Sequence, residues 1–231
     1  MAKVKLYKGF KGVYEIGKNR IATKNLVPGV KVYNEKLVKI KGVEYRIWNP
    51  HRSKLASSLL KGLKEMKIEP GATVLYLGSA TGTTVSHVSD IIWDNTTKGI
   101  CYCVEFSPRA MKEFITNVAS YRKNVVPILG DARKPEDYEF FITDKVDVVY
   151  QDVAQPDQTE ILIKNVELFL RPGGYIYYAI KAKSIDVTKD VGEVITKEIN
   201  MLKESNIHIL QIIKIKPYHK DHVMVVGRYE P

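Results

Sequence analysis

Apolar and polar residues alternate at the two-residue period of β-strands in the first part of the chain. The runs are short and are separated by turn residues such as Gly17, which is typical of antiparallel strands. The Asn49-Pro50 step ends this pattern, and apolar residues then recur at helical spacing over residues 53–63. We therefore predict a small, β-rich N-terminal module over residues 1–50 and a second domain over 51–231. The predicted strands of the module are 13–16, 20–23, 32–33, 37–40 and 45–48.

From residue 73 onward the pattern alternates between strand and helix. Nearly continuous apolar runs, typical of parallel strands covered on both faces, alternate with helical periodicity. Two final strands, 207–215 and 222–229, are joined only by residues 216–221, too few for a helical crossover, so they must be antiparallel. A mostly parallel seven-stranded α/β sheet closed by an antiparallel C-terminal hairpin resembles the Rossmann-like fold of class I S-adenosylmethionine-dependent methyltransferases. The other predicted elements are strands 74–77, 99–104, 125–129, 146–150 and 175–180 and helices 85–93, 107–121, 157–170 and 191–204.

The segment 73–84, TVLYLGSATGTT, predicts a buried strand that runs into a ligand loop. Gly78 and Gly82 tolerate positive φ and, with the small Ala80 between them, let a ligand approach the backbone. The N–H groups at the start of the next helix attract polar groups. The loop lacks the Lys-Ser/Thr of a phosphate-binding loop and does not match G-x-G-x-x-G, so by itself it is also compatible with an ordinary strand-to-helix turn.

Polar residues follow three further strands at the edge where a doubly wound sheet binds ligands. A carboxylate such as Glu105 accepts hydrogen bonds from both hydroxyls of a ribose, and Phe106 next to it is placed to pack against adenine. Asp131 and Ala132 are placed for the adenine edge. The positive sulfonium of S-adenosylmethionine favours acidic strand ends over a phosphate-rich cofactor. The residues expected beneath the sulfonium are Asp152, Val153, Ala154 and Gln155.

Net charge is +10, and the excess is confined to the N-terminal part of the chain. Residues 1–69 contain 17 Lys/Arg and 5 Glu. A solvated basic face would explain this, but so uneven a distribution favours a polyanionic partner such as RNA. No apolar run approaches the length of a membrane span, so we expect an intracellular protein without a membrane partner. Cys101 and Cys103 are expected to be reduced core thiols, and we predict no metal site.

Methyl transfer to a ribose hydroxyl requires removal of its proton, which a lysine with a lowered pKa or a histidine can perform. Lys181 ends a predicted strand in the ligand crevice and is the candidate base; a surface lysine is the alternative interpretation. His222 opens the last strand, and Lys54 lies on the helix that enters the domain. Each of these two, taken singly, is compatible with an ordinary surface residue. We assign no role to the histidines at 51, 87, 208 and 219.

The sequence resembles the fibrillarin family, specifically its archaeal form, from residue 21 almost to the end. The resemblance implies 2′-O-methylation of ribose in ribosomal RNA, and also in transfer RNA, at sites chosen by C/D-box guide RNAs. It further implies a Nop-type scaffold protein and a kink-turn-binding protein as partners. The motifs that carry it are YRIWNPHRSKLA (45–56), LYLGSATGTTVSHVSD (75–90), GDARKP (130–135), VYQDVAQPDQ (149–158), IKAKSIDVTKD (180–190) and DHVMVVG (221–227).

The resemblance also assigns roles by position. It implies a catalytic set in which Lys181 is the base and Asp152 orients it, with Lys54 and His222 completing the set. The chain lacks the glycine/arginine-rich arm of eukaryotic members, so we expect a ribonucleoprotein in an archaeal cytoplasm. The cofactor contacts that the family implies are Thr83, Thr84, Glu105, Phe106, Asp131, Ala132 and Asp152 to Gln155.

Two alternatives remain open at the level of sequence. A methyltransferase acting on a protein or a small molecule would share the whole cofactor site. A non-catalytic RNA-binding subunit would keep the fold and lose cofactor binding. A dehydrogenase is disfavoured by the terminal hairpin.

Overall fold

The computed structural model describes residues 3–94 and 96–231 and contains two β-sheets. The smaller sheet is antiparallel, with strand order β1-β2-β3-β5-β4. Its strands are β1 (Val4–Leu6), β2 (Val13–Ile16), β3 (Ile21–Lys24), β4 (Leu37–Ile40) and β5 (Val43–Ile47).

This small sheet differs from the sequence prediction at two points. Residues 32–33 form a bend instead of a strand, because the Glu35 carboxylate accepts hydrogen bonds from the backbone N–H groups of Val32 at 3.1 Å and Tyr33 at 2.8 Å. Strand β1 was not anticipated, since its three residues are too few to show a period.

The larger sheet has the order β11-β12-β10-β9-β6-β7-β8. Strands β10, β9, β6, β7 and β8 are parallel, whereas β12 pairs antiparallel with both β10 and β11, as predicted. The strand order reverses between β9 and β6, so a crevice opens at their carboxyl ends. The strands are β6 (Val74–Leu77), β7 (Cys101–Glu105), β8 (Val125–Leu129), β9 (Val146–Gln151), β10 (Leu170–Lys181), β11 (Ile207–Lys214) and β12 (His222–Tyr229).

Helices cover both faces of the larger sheet. The side chains of β6 alternate between the two layers: Tyr76 packs with α1, α2 and α3, whereas Leu75 and Leu77 pack with α4 and α6. The helices are α1 (Lys54–Leu60), α2 (Thr83–Ile92), α3 (Pro108–Asn117), α4 (Gln158–Phe169), α5 (Ala182–Ile185) and α6 (Val191–Glu204). No helix among residues 3–94 and 96–231 has the length and apolar character needed to cross a membrane.

Several element bounds depart from the prediction; for example, the predicted helix 107–121 ends at Asn117. Helix α1 ends at Leu60, short of the predicted residue 63, because Gly62 adopts a φ of +97°. Strand β10 starts at Leu170, earlier than predicted, with a register shift between Leu170 and Tyr175. Helix α5 is a single short turn that was not anticipated.

A buried ionic network fixes the small sheet to helix α2. Arg46 of β5 lies 2.8 Å from the Asp90 carboxylate and 2.7 Å from that of Glu35, and Arg122 lies 2.6 Å from Asp90. The Thr23 hydroxyl of β3 donates to Asp90 at 2.7 Å. These charged side chains are at most 1% exposed, so the two arginines depend on Asp90 for compensation.

His87, to which the sequence assigned no role, belongs to the same junction. Its ring stacks on Trp48 with centroids 4.7 Å apart and hydrogen-bonds the Tyr33 hydroxyl at 2.7 Å. Burial, with Arg46 and Arg122 nearby, holds the pKa of His87 well below its ordinary value, so the ring is neutral. His87 is therefore a structural residue of the junction.

Replacing Asp90 with Asn should lower the free energy of unfolding by about 3–5 kcal/mol, because two buried arginines lose their shared counter-ion. Urea denaturation measures this loss. The matched control is Asp144→Asn at an exposed position, for which we expect a change within about 0.5 kcal/mol. Equal stability of the two variants would contradict the role given to the network.

Candidate functional site

A cleft of about 340 Å³ opens at the carboxyl ends of β6, β7, β8 and β9. Most of the ligand residues predicted from sequence lie in its wall, although they come from four separate strand ends. Lys181, at the end of β10, forms one side. The predicted residues in the wall are Gly78, Ala80, Glu105, Phe106, Asp131, Ala132, Asp152, Val153, Ala154, Gln155 and Lys181.

The Glu105 carboxylate is fixed by two backbone donors. It accepts hydrogen bonds from the N–H of Ala80, in the loop after β6, and from the N–H of Ser107, both at 2.9 Å. Each oxygen keeps a further lone pair, so the carboxylate can accept from a ligand while its orientation is maintained. Phe106 beside it is 65% exposed, which leaves an aromatic face at the rim of the cleft.

Gly78 allows the loop after β6 to lie against the end of β9. Its φ is +80°, and a Cβ at this position would lie 3.0 Å from the backbone oxygen of Asp152 and 3.1 Å from Val153 Cγ1. Any larger residue would push these two strand ends apart. Ala80 also has a positive φ, of 47°, which turns its N–H toward Glu105.

The opposite wall is held by Arg133 and Asn165, neither of which the sequence identified. Arg133 donates to Asp157 at 2.7 Å and to the Gln155 side chain at 2.7 Å, so it ties the loop after β8 to the loop after β9. Asn165 of α4 donates to the backbone oxygen of Ala132 at 2.8 Å. Both are ordinary surface or helix residues in the sequence pattern, so only their contacts reveal them.

Three predicted cofactor residues lie outside the wall of the cleft. Gly82 has a φ of +88°, and its missing Cβ makes room for Phe114, whose ring would be 2.5 Å from that atom. The glycine therefore serves packing between α2 and α3. Thr84 is buried and donates to the Ser53 hydroxyl at 2.9 Å. Ligand contacts by Gly82, Thr83 and Thr84 remain predictions.

Asp152, which follows β9, brings the two candidate lysines together. Its Oδ1 lies 2.9 Å from Lys54 Nζ and 2.8 Å from Lys181 Nζ, and Lys181 also donates to its backbone oxygen at 2.7 Å. The side chains of all three are 14–16% exposed. Lys54 and Lys181 lie 98 and 29 positions from Asp152 in the sequence, yet both side chains meet at its carboxylate.

The cluster contains two lysines and one carboxylate, and this excess of positive charge affects the pKa values of Asp152 and Lys181. Burial favours the neutral form of Asp152, but the two ammonium groups outweigh it and hold its pKa below the ordinary value. Burial is also the largest cause that lowers the pKa of Lys181, and the charge of Lys54 adds to it against the opposing effect of Asp152. Lys181 is therefore easier to deprotonate than a surface lysine, while Asp152 stays ionised.

His222, the fourth predicted catalytic residue, is the cross-strand partner of Lys181 in the β10–β12 pair. Its Nδ1 hydrogen-bonds the backbone oxygen of Lys220 at 2.5 Å. Burial, with the positive charge of Lys54, lowers its pKa. His219, which the sequence left without a role, lies beside it, with ring centroids 6.0 Å apart.

Gln158, the first residue of α4, connects the strand ends and was missed by the sequence. Its side-chain oxygen accepts from the N–H of Lys181 at 3.0 Å, and its side-chain nitrogen donates to the backbone oxygen of Gln155 at 2.9 Å. Its own backbone oxygen accepts from Gln151 at 2.5 Å. The fully buried amide thus fixes the backbone from which Lys181 projects. A glutamine at a predicted helix start shows no distinctive pattern, so the sequence contained no signal for this role.

The arrangement combines a carboxylate beside an aromatic ring with a lysine of lowered pKa. It can hold a ligand with vicinal hydroxyls and a flat ring, and it can accept a proton at the adjoining lysine. The described part of the chain contains no cluster of three or more His, Cys, Asp or Glu side chains placed to hold a metal ion.

Comparison with known sequences gives matches over nearly the whole chain. The sequence profile of the fibrillarin family matches residues 4–231. The fibrillarin-like rRNA/tRNA 2′-O-methyltransferase of Methanocaldococcus jannaschii is 50% identical over 234 residues, which cover 100% of this chain and 99% of that protein.

Solved structures are similar over the same length. The fibrillarin of Aeropyrum pernix in complex with natively bound S-adenosyl-L-methionine has a TM-score of 0.89 and 46% identity, over 98% of this chain and 99% of that one. A chain of a fibrillarin/Nop5p complex has a TM-score of 0.84 and 37% identity, over 96% of this chain and 99% of that one. The cleft described above therefore lies in a fold that binds this cofactor in the Aeropyrum protein.

Replacing Gln158 with Leu should lower the free energy of unfolding by about 1–3 kcal/mol, since backbone groups at Lys181 and Gln155 lose their partners. Hydrogen exchange of the Lys181 amide should accelerate at the same time. Gln211→Leu is the control, because Gln211 also bonds backbone groups, at Gly62 and Lys64, but far from the cleft. An unchanged Lys181 amide in the Gln158 variant would contradict the positioning role.

Proposed function

Because this chain belongs to the fibrillarin family, we propose that it is the S-adenosylmethionine-dependent 2′-O-methyltransferase of a guide ribonucleoprotein, acting on ribose in ribosomal and transfer RNA. The observation that carries this proposal is the Asp152 carboxylate shared by Lys54 and Lys181 at the edge of the cofactor cleft. Membership of the family indicates which reaction the chain catalyses, and this cluster provides a candidate base for it.

The cleft fits S-adenosylmethionine in its chemistry. Glu105 presents a fixed carboxylate for the ribose hydroxyls, and Phe106 presents an exposed ring for adenine. Asp131 and Ala132 belong to the same wall and are assigned to the adenine edge. The ionised Asp152 and the loop through Gln155 place negative and dipolar groups near the sulfonium. When bound, the cofactor supplies an electrophilic methyl group.

The chain supplies positioning and proton transfer. Lys181, in its neutral form, would take the proton of the ribose 2′-hydroxyl through Nζ as that oxygen receives the methyl group, and the sulfur–methyl bond of the donor would break to leave a neutral thioether. Asp152 holds Nζ in place through its side chain and backbone oxygens, at 2.8 and 2.7 Å. Lys54 balances the carboxylate and, through its charge, favours the neutral form of Lys181. His222, the cross-strand partner of Lys181, has a lowered pKa that favours its neutral form, and it completes the proposed set as a polar group beside the base.

The proposal extends to partners and location. A Nop-type scaffold protein is supported by the similarity to a chain of a fibrillarin/Nop5p complex. A C/D-box guide RNA, a kink-turn-binding protein and an archaeal cytoplasmic location are proposed from the family resemblance of the sequence. In this assembly base pairing selects the target, and the present chain supplies the chemistry.

The two alternative functions, a methyltransferase for other substrates and a non-catalytic RNA-binding subunit, make different demands on the chain. A methyltransferase for a protein or a small molecule would need the cofactor cleft but not the basic N-terminal region, where residues 1–69 hold 17 Lys/Arg. A non-catalytic subunit would not need Asp152 to hold two largely buried lysines together, nor the burial and the Lys54 charge that lower the pKa of Lys181. Both features favour RNA methylation.

We expect the chain, reconstituted with guide RNA and partner proteins, to transfer a labelled methyl group to the guide-selected nucleotide. A target with 2′-deoxyribose at that nucleotide should accept none. Lys181→Met should lower the single-turnover rate about 10²–10⁴-fold, with cofactor affinity by calorimetry nearly unchanged. Lys183→Met, a nearby exposed lysine whose Nζ contacts only backbone oxygens, is the control.

Label on the deoxy target, or equal modification of a free small molecule, would refute RNA ribose methylation. A Lys181→Met enzyme with the wild-type rate would refute the proposed base and leave the reaction itself intact.

The pH dependence of the reaction should report the protonation of Lys181. The rate should rise with pH as Lys181 loses its proton and then level off above its pKa. Lys54→Met removes a positive charge that lowers the pKa of Lys181, so the rising limb should move to higher pH. Single-turnover rates across pH measure the midpoint, and Lys61→Met, at the exposed end of α1, is the control. A midpoint at lower or unchanged pH would contradict this coupling.

A further inference from the structure

A second concave surface lies between the small sheet and the segment that leads into α1. This basic groove has a volume of about 480 Å³ and is separate from the cofactor cleft. Its wall includes Arg20, Lys36, Arg52, Tyr33, Trp48 and Tyr218. The sequence analysis located the excess of basic residues in this part of the chain but did not predict which surface these residues form.

The groove carries uncompensated positive charge. Arg20, Lys36 and Arg52 are exposed, and none of them forms an ion pair with a described residue. The acid in the wall, Glu35, is buried and paired with Arg46 at 2.7 Å. Three cations therefore face the groove without a carboxylate to neutralise them, which favours an anionic ligand.

The wall also provides aromatic and donor groups. Tyr218 packs edge-on against His51 with centroids 5.0 Å apart. The indole N–H of Trp48 is buried and has no acceptor within the described residues. Trp48 is 1% exposed and stacks on His87, so the partly exposed Tyr218 is the ring that can meet a base. A ring beside unpaired cations is suited to single-stranded nucleic acid, through stacking and phosphate contacts.

The groove leads toward the lysine cluster. His219, next to Tyr218, hydrogen-bonds the backbone oxygen of Pro50 at 2.9 Å, and its ring lies 6.0 Å from that of His222. On the other side, Arg52 precedes Lys54 by two positions at the start of α1. A strand whose acceptor ribose lies at Lys181 thus has a short path into the groove.

We propose that this basic groove binds the backbone of the target RNA strand on one side of the acceptor ribose. The inference rests on the proposed function and adds a site to it. A protein partner fits the groove less well, because the most exposed large apolar side chains, such as Val187, Phe140 and Phe106, lie outside its wall. Phosphate contacts at Lys36 and Arg52 would hold the strand while Lys181 acts on its hydroxyl.

The test compares two double variants with the same change in charge. Lys36→Glu/Arg52→Glu reverses the groove, and Lys112→Glu/Lys203→Glu reverses two exposed helix lysines elsewhere. Methylation by the reconstituted particle is measured against the concentration of a guide-complementary RNA oligonucleotide. We expect the half-saturating concentration to rise about tenfold or more for the groove variant, with a shallower salt dependence of RNA binding, and to change about twofold or less for the control.

Further readouts separate the possible outcomes. The groove variant should keep the wild-type maximal rate, cofactor affinity and urea midpoint, and Lys36→Gln/Arg52→Gln should show a smaller change in the same direction. Equal behaviour of the two reversed variants would overturn the inference. So would loss of scaffold-protein binding with unchanged RNA dependence, which would assign the groove to a protein. Failure of the wild-type chain to methylate any RNA would instead refute the proposed function.

Discussion

The sharing of one carboxylate by two lysines is the interaction on which the site depends. Asp152 belongs to the loop after a central strand, and the elements around it serve to bring cations to that point. Two ammonium groups within 2.9 Å of the same oxygen would repel each other without it. The carboxylate therefore fixes where Lys181 lies, while burial and the charge of Lys54 lower the pKa of Lys181 against the opposing effect of Asp152. With both lysines protonated the cluster carries one excess positive charge, and loss of the Lys181 proton brings it to neutrality.

The small sheet contributes to this arrangement from a distance. Its attachment to α2 uses buried ions, which are costly to desolvate and stabilise little compared with apolar packing. Such contacts fix the orientation of the small sheet relative to α2, because arginine and carboxylate groups pair in few orientations. We suggest that this fixed attachment orients the segment from Trp48 to Lys54, which runs from the small sheet to helix α1.

Sequence analysis predicted the features that depend on local pattern. Helix α6 has the predicted bounds, the C-terminal strands are antiparallel as the short connection required, and the polar strand ends converge on one cleft. The sequence could not distinguish Gly78, which lies against Asp152, from Gly82, which lies against Phe114, because both need a positive φ. It also missed Arg133 and Gln158, whose roles arise from hydrogen bonds to distant loops that leave no periodic trace.

The reversed direction of β12 has a consequence for how the enzyme can diversify. In a wholly parallel sheet every strand would bring its carboxyl end to the ligand edge, but β12 brings its amino end there, with His222 opposite Lys181. Residues 216–221 thereby lie at the same edge of the sheet as Lys181 without lining the cleft. Substitutions or insertions in that connection can therefore alter the surface beside Lys181 and His222 while the residues that line the cleft stay the same.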